Sequence, residues 1–195
     1  MSKITLAPNA AGTATFTVAA PNTSTDRTLT LPDTSETLVA QGTALTLGTA
    51  VASTSGTAID FTGIPAWVKR ITVMFSGVSL SGTAHINVQL GTTSGFTVSG
   101  YLSTQQQGSA SNASSTTGFI SGGNGSTSVM SGSMVILKMG VSDIWIETNI
   151  VKLNTGNIAW GGGDVSISGT VDRVRITTEG TDTFDAGTVN IMYEG

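Results

Sequence analysis

An all-β protein is predicted, with extended, interleaved N-terminal strands followed by a C-terminal antiparallel β-sandwich of jelly-roll type. Three observations carry that prediction. Ser and Thr fill 56 of 195 positions and Gly another 25, which leaves little room for the Leu, Glu, Lys and Ala of ordinary helices. Apolar residues recur with period two, the signature of strands with one greasy face. Many short runs of this kind are divided by Gly-rich turns, a density that favours a sandwich or jelly roll.

The first forty residues alternate Thr with apolar side chains, as in Thr15, Phe16, Thr17, Val18 and again in Thr28, Leu29, Thr30, Leu31. The punctuation is Ala7-Pro8-Asn9, repeated as Ala20-Pro21-Asn22, and then Pro32-Asp33; proline fixes φ and asparagine tolerates turn geometry. So short a segment with one Phe and a handful of Leu and Val cannot bury a core of its own. It is expected to pack on copies of itself or on a larger protein. Residues 41–56 read as an uncharged connector with one short strand, and residues 1–48 form the first region, 49–195 the second.

Nine strands are expected in the second region: 57–61, 68–75, 84–90, 96–103, 133–139, 144–151, 165–167, 171–178 and 188–194. In 68–75 the residues Ile71, Val73 and Phe75 share a face, and in 84–90 Ile86, Val88 and Leu90 point in while His85, Asn87 and Gln89 point out. Between 91 and 132 the chain turns to Ser, Gly, Thr, Gln and Asn. It reads either as a long loop or weak hairpins with no special role or as an exposed binding tip on a rigid scaffold, with Tyr101, Phe119 and Met130 as contacts or as a small core of its own.

Composition closes several function classes. Eight basic residues against twelve acidic give a net charge of −4, and without clustered Lys and Arg no nucleic-acid partner is expected. No apolar run approaches the ~20 residues of a membrane helix, and the opening residues lack a signal-peptide core, so a soluble chain without membrane insertion is expected. With no cysteine, disulfides, thiolate nucleophiles and sulfur-bound metals are excluded.

Catalytic constellations are sparse. His85 is the sole histidine, a single available base on a polar strand face, where a solvated side chain is the simpler reading. Asp143 and Glu147 share one face of a predicted strand about 13 Å apart, too far for the ~5–9.5 Å of paired catalytic carboxyls. Asp182 and Asp185 sit in a turn, where short acids satisfy backbone donors; no metal and no cofactor is expected. Gly161-Gly162-Gly163 lacks the Lys-Ser/Thr of a phosphate loop and reads as a flexible turn. Arg173 and Arg175 share a face opposite Val174 and Ile176, free in solvent or paired with acids of a neighbouring strand or subunit. Among the tryptophans, Trp67 reads as core edge, Trp145 alternates with Ile144 and Ile146 toward a subunit contact, and Trp160 reads as the most exposed, suited to stacking on a sugar ring.

The strings at 4–9, 15–23, 26–33 and 37–39 resemble an N-terminal module of bacteriophage tail-fibre-like proteins. Those at 59–65, 68–75, 172–178 and 180–187 are similar to a module shared by phage and prophage fibre-like proteins. The resemblance implies a homotrimer on the virion surface, synthesised in the bacterial cytoplasm, with its N-terminus docked on phage tail or capsid proteins. On that reading Pro8, Asn9, Phe16, Val18, Pro21, Asn22, Leu29, Leu31 and Pro32 serve virion attachment and the trimer interface. Tyr101, Gln105, Gln106, Gln107 and Trp160 are the candidates for contact with a host surface polysaccharide or protein. The modules are separated by a short connector in place of a long shaft, which leaves a short tail fibre, a head fibre and a capsid decoration protein open. All three are non-enzymatic; a polysaccharide depolymerase is the competing class, and the missing His and carboxylate constellation speaks against it.

Overall fold

Fourteen strands and no helix make up the described residues of the computed structural model, which are 45–195 without 109–111, 123–126, 141–142 and 155, together with Ala11, Gly12, Thr17, Ser24 and Asp26. The chain divides into two units, 1–38 and 39–195. The nine N-terminal attachment candidates, Pro8 to Pro32, and the interleaved strands expected there lie outside the described residues.

In chain order the strands are β1 (Thr46–Leu47), β2 (Val51–Ala52), β3 (Ala58–Thr62), β4 (Arg70–Leu80), β5 (Ile86–Thr92), β6 (Gly95–Phe96), β7 (Leu102–Gln107) and β8 (Ala113–Ser115). They continue as β9 (Phe119–Ser121), β10 (Met130–Lys138), β11 (Ile144–Leu153), β12 (Asn157–Ser166), β13 (Arg173–Thr178) and β14 (Phe184–Glu194). A large antiparallel sheet runs β1-β14-β4-β10-β11-β12-β7-β8, with β2 also on β14; a smaller one runs β3-β13-β5-β6, with β9 also on β5. The antiparallel sandwich read from the sequence is the fold.

Between the sheets lies one apolar cluster in which Ile71, Val73, Met134 and Ile136 of the large sheet join Val88, Leu90, Val174 and Ile176 of the small one. At roughly 25 cal/mol per Å² of apolar surface removed from water, such side chains supply the main stabilisation. Where β4 and β14 bulge, Gly77 and Gly187 pass each other with φ of 65° and 97°. A Cβ on Gly187 would stand 2.5 Å from the Gly77 carbonyl, so glycine is obligatory there.

Several expectations change. The expected strand 96–103 is broken, β6 ending at Phe96 and β7 starting at Leu102, and the connector 41–56 holds, among its described residues, two short strands, β1 and β2, because both pair with β14. The 91–132 stretch is neither one long loop nor a free tip: β7 and β8 pair as a hairpin, one of the expected alternatives, and extend the large sheet, while β9 completes the small one. Its candidate contacts Tyr101, Phe119 and Met130 are all buried core. Asn87 and Gln89 do not reach solvent, because the chain around 115–117 covers them: Asn87 Nδ2 donates to Ser115 Oγ and Thr117 Oγ1, both at 3.2 Å, and Gln89 Nε2 to the Thr117 carbonyl at 2.8 Å. The three glycines 161–163 are the middle of strand β12 and not a turn.

Candidate functional site

Strand β12 is held between β11 and β7, with Trp160 opposite Ile150 on one side and Gln106 on the other, and Gly162 opposite Thr148 and Thr104. Side chains alternate across a strand, so these residues share the outer face of the large sheet. Trp160 is 44% exposed and Ile150 67%. Between β7 and β12 lies an open cleft of about 250 Å³ lined by Thr104, Gln105, Gln106, Asn112, Trp160, Gly161 and Gly162. An exposed indole beside neutral amides and a hydroxyl offers dispersion to an apolar ring face and hydrogen bonds to its hydroxyls. The strands hold these groups without the ordering cost of a mobile loop.

Of the five predicted contact residues, Trp160 and Gln106 meet on this surface. Tyr101 does not: it is fully buried, accepts the Leu90 N–H on its hydroxyl at 2.8 Å, and meets Phe119 edge-on at 5.0 Å. Burial pushes its phenol above the usual value. The Gln105 side chain points inward, donating from Nε2 to the Gly122 carbonyl at 3.1 Å. Gln107 is half-buried, with its Oε1 unpaired and buried. Neither of these two side chains is an exposed contact.

Beneath the cleft the interior is polar. The inner face of β11 carries Trp145, Glu147, Asn149, Val151 and Leu153, while Ile144 and Ile150 face out. Trp145 is therefore core, contrary to the subunit contact expected of it. The polar side chains have a job: β9 pairs with β5 on one edge only, and its other edge is satisfied by side chains of the large sheet. Asn149 Nδ2 donates to the Ile120 carbonyl at 3.2 Å, and the Ile120 N–H donates to Ser103 Oγ at 3.0 Å. Side chains replace a missing strand, as buried backbone groups require.

Glu147 belongs to this layer and is 2% exposed. Its Oε1 accepts from Asn149 Nδ2 at 2.6 Å, and its Oε2 has no partner. Burial pushes its carboxyl up to about 7 against the smaller opposing pull of the Asn149 bond. Asp143 precedes β11 and is exposed, so the two acids expected on one face do not form a pair.

Elsewhere, His85 Nδ1 lies 3.2 Å from Glu179 Oε2, a half-buried contact in place of a free surface ring. Arg175 forms a two-point bond with Asp60 of β3 at 2.7 and 2.8 Å and covers the Phe96 ring at 4.1 Å. Arg173 pairs with Asp172 at 2.7 Å. Asp182 accepts the Ala84 backbone N–H at 2.8 Å, as read for a short acid in a turn, whereas Asp185 lies in β14 and accepts from the Ser79 hydroxyl, a side-chain bond in place of the expected backbone donor. Trp67 is half-buried against the core beside Tyr193, 6.1 Å between rings. Among the described residues no three His, Cys, Asp or Glu side chains converge as metal ligands, and no helix is long and apolar enough to cross a membrane.

Comparison with protein-family models, with curated proteins and with solved structures gave no match.

Proposed function

We propose that the chain is a non-enzymatic bacteriophage virion-surface protein: a short, trimeric, tail-fibre-like component whose N-terminal region docks on the particle and whose sandwich touches the host surface. The observation that carries the host-contact half is the convergence of Trp160 and Gln106 across one strand pair at an open cleft. A cleft below the ~300–1,000 Å³ that encloses a drug-sized ligand suits shallow contact with a sugar ring. Linked copies turn several weak contacts of that kind into a firm hold.

Self-association is supported by two features. The first forty residues carry apolar alternation without enough mass for a core. The outer face of the sandwich also exposes Leu137 and Ile144 on the adjacent strands β10 and β11, toward the end of β11 remote from Trp160, apolar surface of the sort that interfaces cover.

The test is binding of the full chain to polysaccharide extracted from the host envelope. Trp160→Ala is expected to lower retention at least tenfold with the melting temperature within a few degrees of the parent. Equal retention by parent and variant would refute the site.

A further inference from the structure

Three glycines stand in a row in β12, and the fold accounts for two of them. A Cβ on Gly161 would lie 2.8 Å from both the Thr104 carbonyl and Asn149 Nδ2. On Gly163 it would lie 2.6 Å from the Leu102 carbonyl and 2.8 Å from Ser103 Cα. Both positions must be bare for β7 to pair this closely. Gly162 differs: its side points outward, its φ is not positive, and a Cβ would meet only the Glu147 carbonyl at 3.4 Å, ordinary contact distance. Glycine inside a strand weakens it, so packing gives no reason for the missing side chain.

The bare position lies two residues from Trp160 on the same face, about 7 Å along the strand, between the exposed Thr104 and Thr148. A side chain there would fill the floor of the cleft. The cleft also lacks charge: none of its lining residues is ionisable. The next outward residue along β12 is the acid Asp164. Of the described basic residues, Arg70, Arg173 and Arg175 are engaged with Glu194, Asp172 and Asp60, and Lys152, outward on β11, stands opposite Ile158 on the far side of Trp160 from Gly162 and outside the cleft lining. An anionic sugar would need a cation beside it for its carboxylate or phosphate, and the cleft offers none.

We propose that the β7–β12 cleft takes an uncharged pyranose laid over Gly162, its apolar face on Trp160 and its hydroxyls toward Gln106, Thr104 and Asn112. This rests on the reading of the cleft as a polysaccharide site. Gly162 is a specificity position: it keeps the platform open, at some cost to the strand.

The host polysaccharide extract is divided by anion exchange into neutral and anionic fractions, and the full chain is tested for retention on each at 0.15 M salt, as are Gly162→Val, Gly162→Ser and Trp160→Ala. The expected result is retention by the neutral fraction alone. Gly162→Val is expected to lose it at least tenfold and Gly162→Ser to lose less, both melting at or above the parent temperature. Retention by the anionic fraction alone overturns the neutral-sugar inference and leaves the polysaccharide reading standing. Undiminished retention by Gly162→Val, with loss in Trp160→Ala, overturns the role of Gly162 alone. Melting of both Gly162 variants far below the parent shows that the fold itself requires the glycine and also overturns that role. Retention of the parent by neither fraction overturns inference and reading together.

Discussion

Replacing Glu147 with Gln removes an ionisable group from the sandwich interior and keeps its shape. In the folded protein the carboxyl titrates at about 7, against 4.5 unperturbed. A raised pKa means that the folded state holds its proton where the unfolded state has already lost it. The associated stability is fully present below about 4.5 and is lost as pH rises through about 7. Each pH unit in that window is worth about 1.4 kcal/mol, so the full span comes to about 3 kcal/mol. At this chain length about 1 kcal/mol moves the melting temperature by about 2–4 °C. Both protonated Glu and Gln are uncharged and keep a carbonyl oxygen to accept from Asn149 Nδ2, so parent and Glu147→Gln are expected to melt close together at pH 4.5. The variant should then pull ahead, by about 6–12 °C at pH 7.5. Taking the difference between the two proteins cancels every other titrating group. Parallel melting curves from pH 4.5 to 7.5 would refute the placement of Glu147 in the interior.

Tyr101→Phe deletes the acceptor of the buried Leu90 N–H and is expected to cost about 1–3 kcal/mol in urea unfolding, with polysaccharide retention unchanged. Gly163→Val drives a side chain into the Leu102 carbonyl and should destabilise by about 1–3 kcal/mol or more, while Gly162→Val does not; calorimetry on the pair separates the two positions. Asp60→Asn breaks a two-point bond whose partners are about one-third exposed, so a loss of about 1 kcal/mol or less is expected by denaturant titration.

Strands whose apolar residues alternate toward the core were legible: Ile71, Val73 and Phe75, then Ile86, Val88 and Leu90, then Val174 and Ile176 all point inward. Strand β11 misleads because its pattern is inverted. Ile144 and Ile150 look like core and Glu147 and Asn149 like surface, yet both polar residues turn in, Asn149 to serve the open edge of β9 and Glu147 to accept from Asn149, a demand set by a strand some thirty residues away. Strand β8 is Ala-Ser-Ser and the middle of β12 is three glycines, residues whose local preference is for turns; pairing across the sheet overrides it. The cleft was half legible. Trp160 stands beside glycines and reads as exposed, and it is. Tyr101 sits in a polar stretch with nothing local to mark it as core, and the inward turn of Gln105 follows from a register that only the β7–β12 pairing sets.

The central claim is that this chain sits on a virion with its sandwich facing outward. Gold-conjugated antibody raised against residues 49–195, applied to intact particles from a lysate of the encoding host and viewed by electron microscopy, tests it most directly. The account predicts gold clustered at the tail. Gold spread over the capsid would contradict the tail-fibre assignment in favour of head fibre or decoration, and particles bare of gold in a lysate rich in the free protein would contradict the virion role altogether.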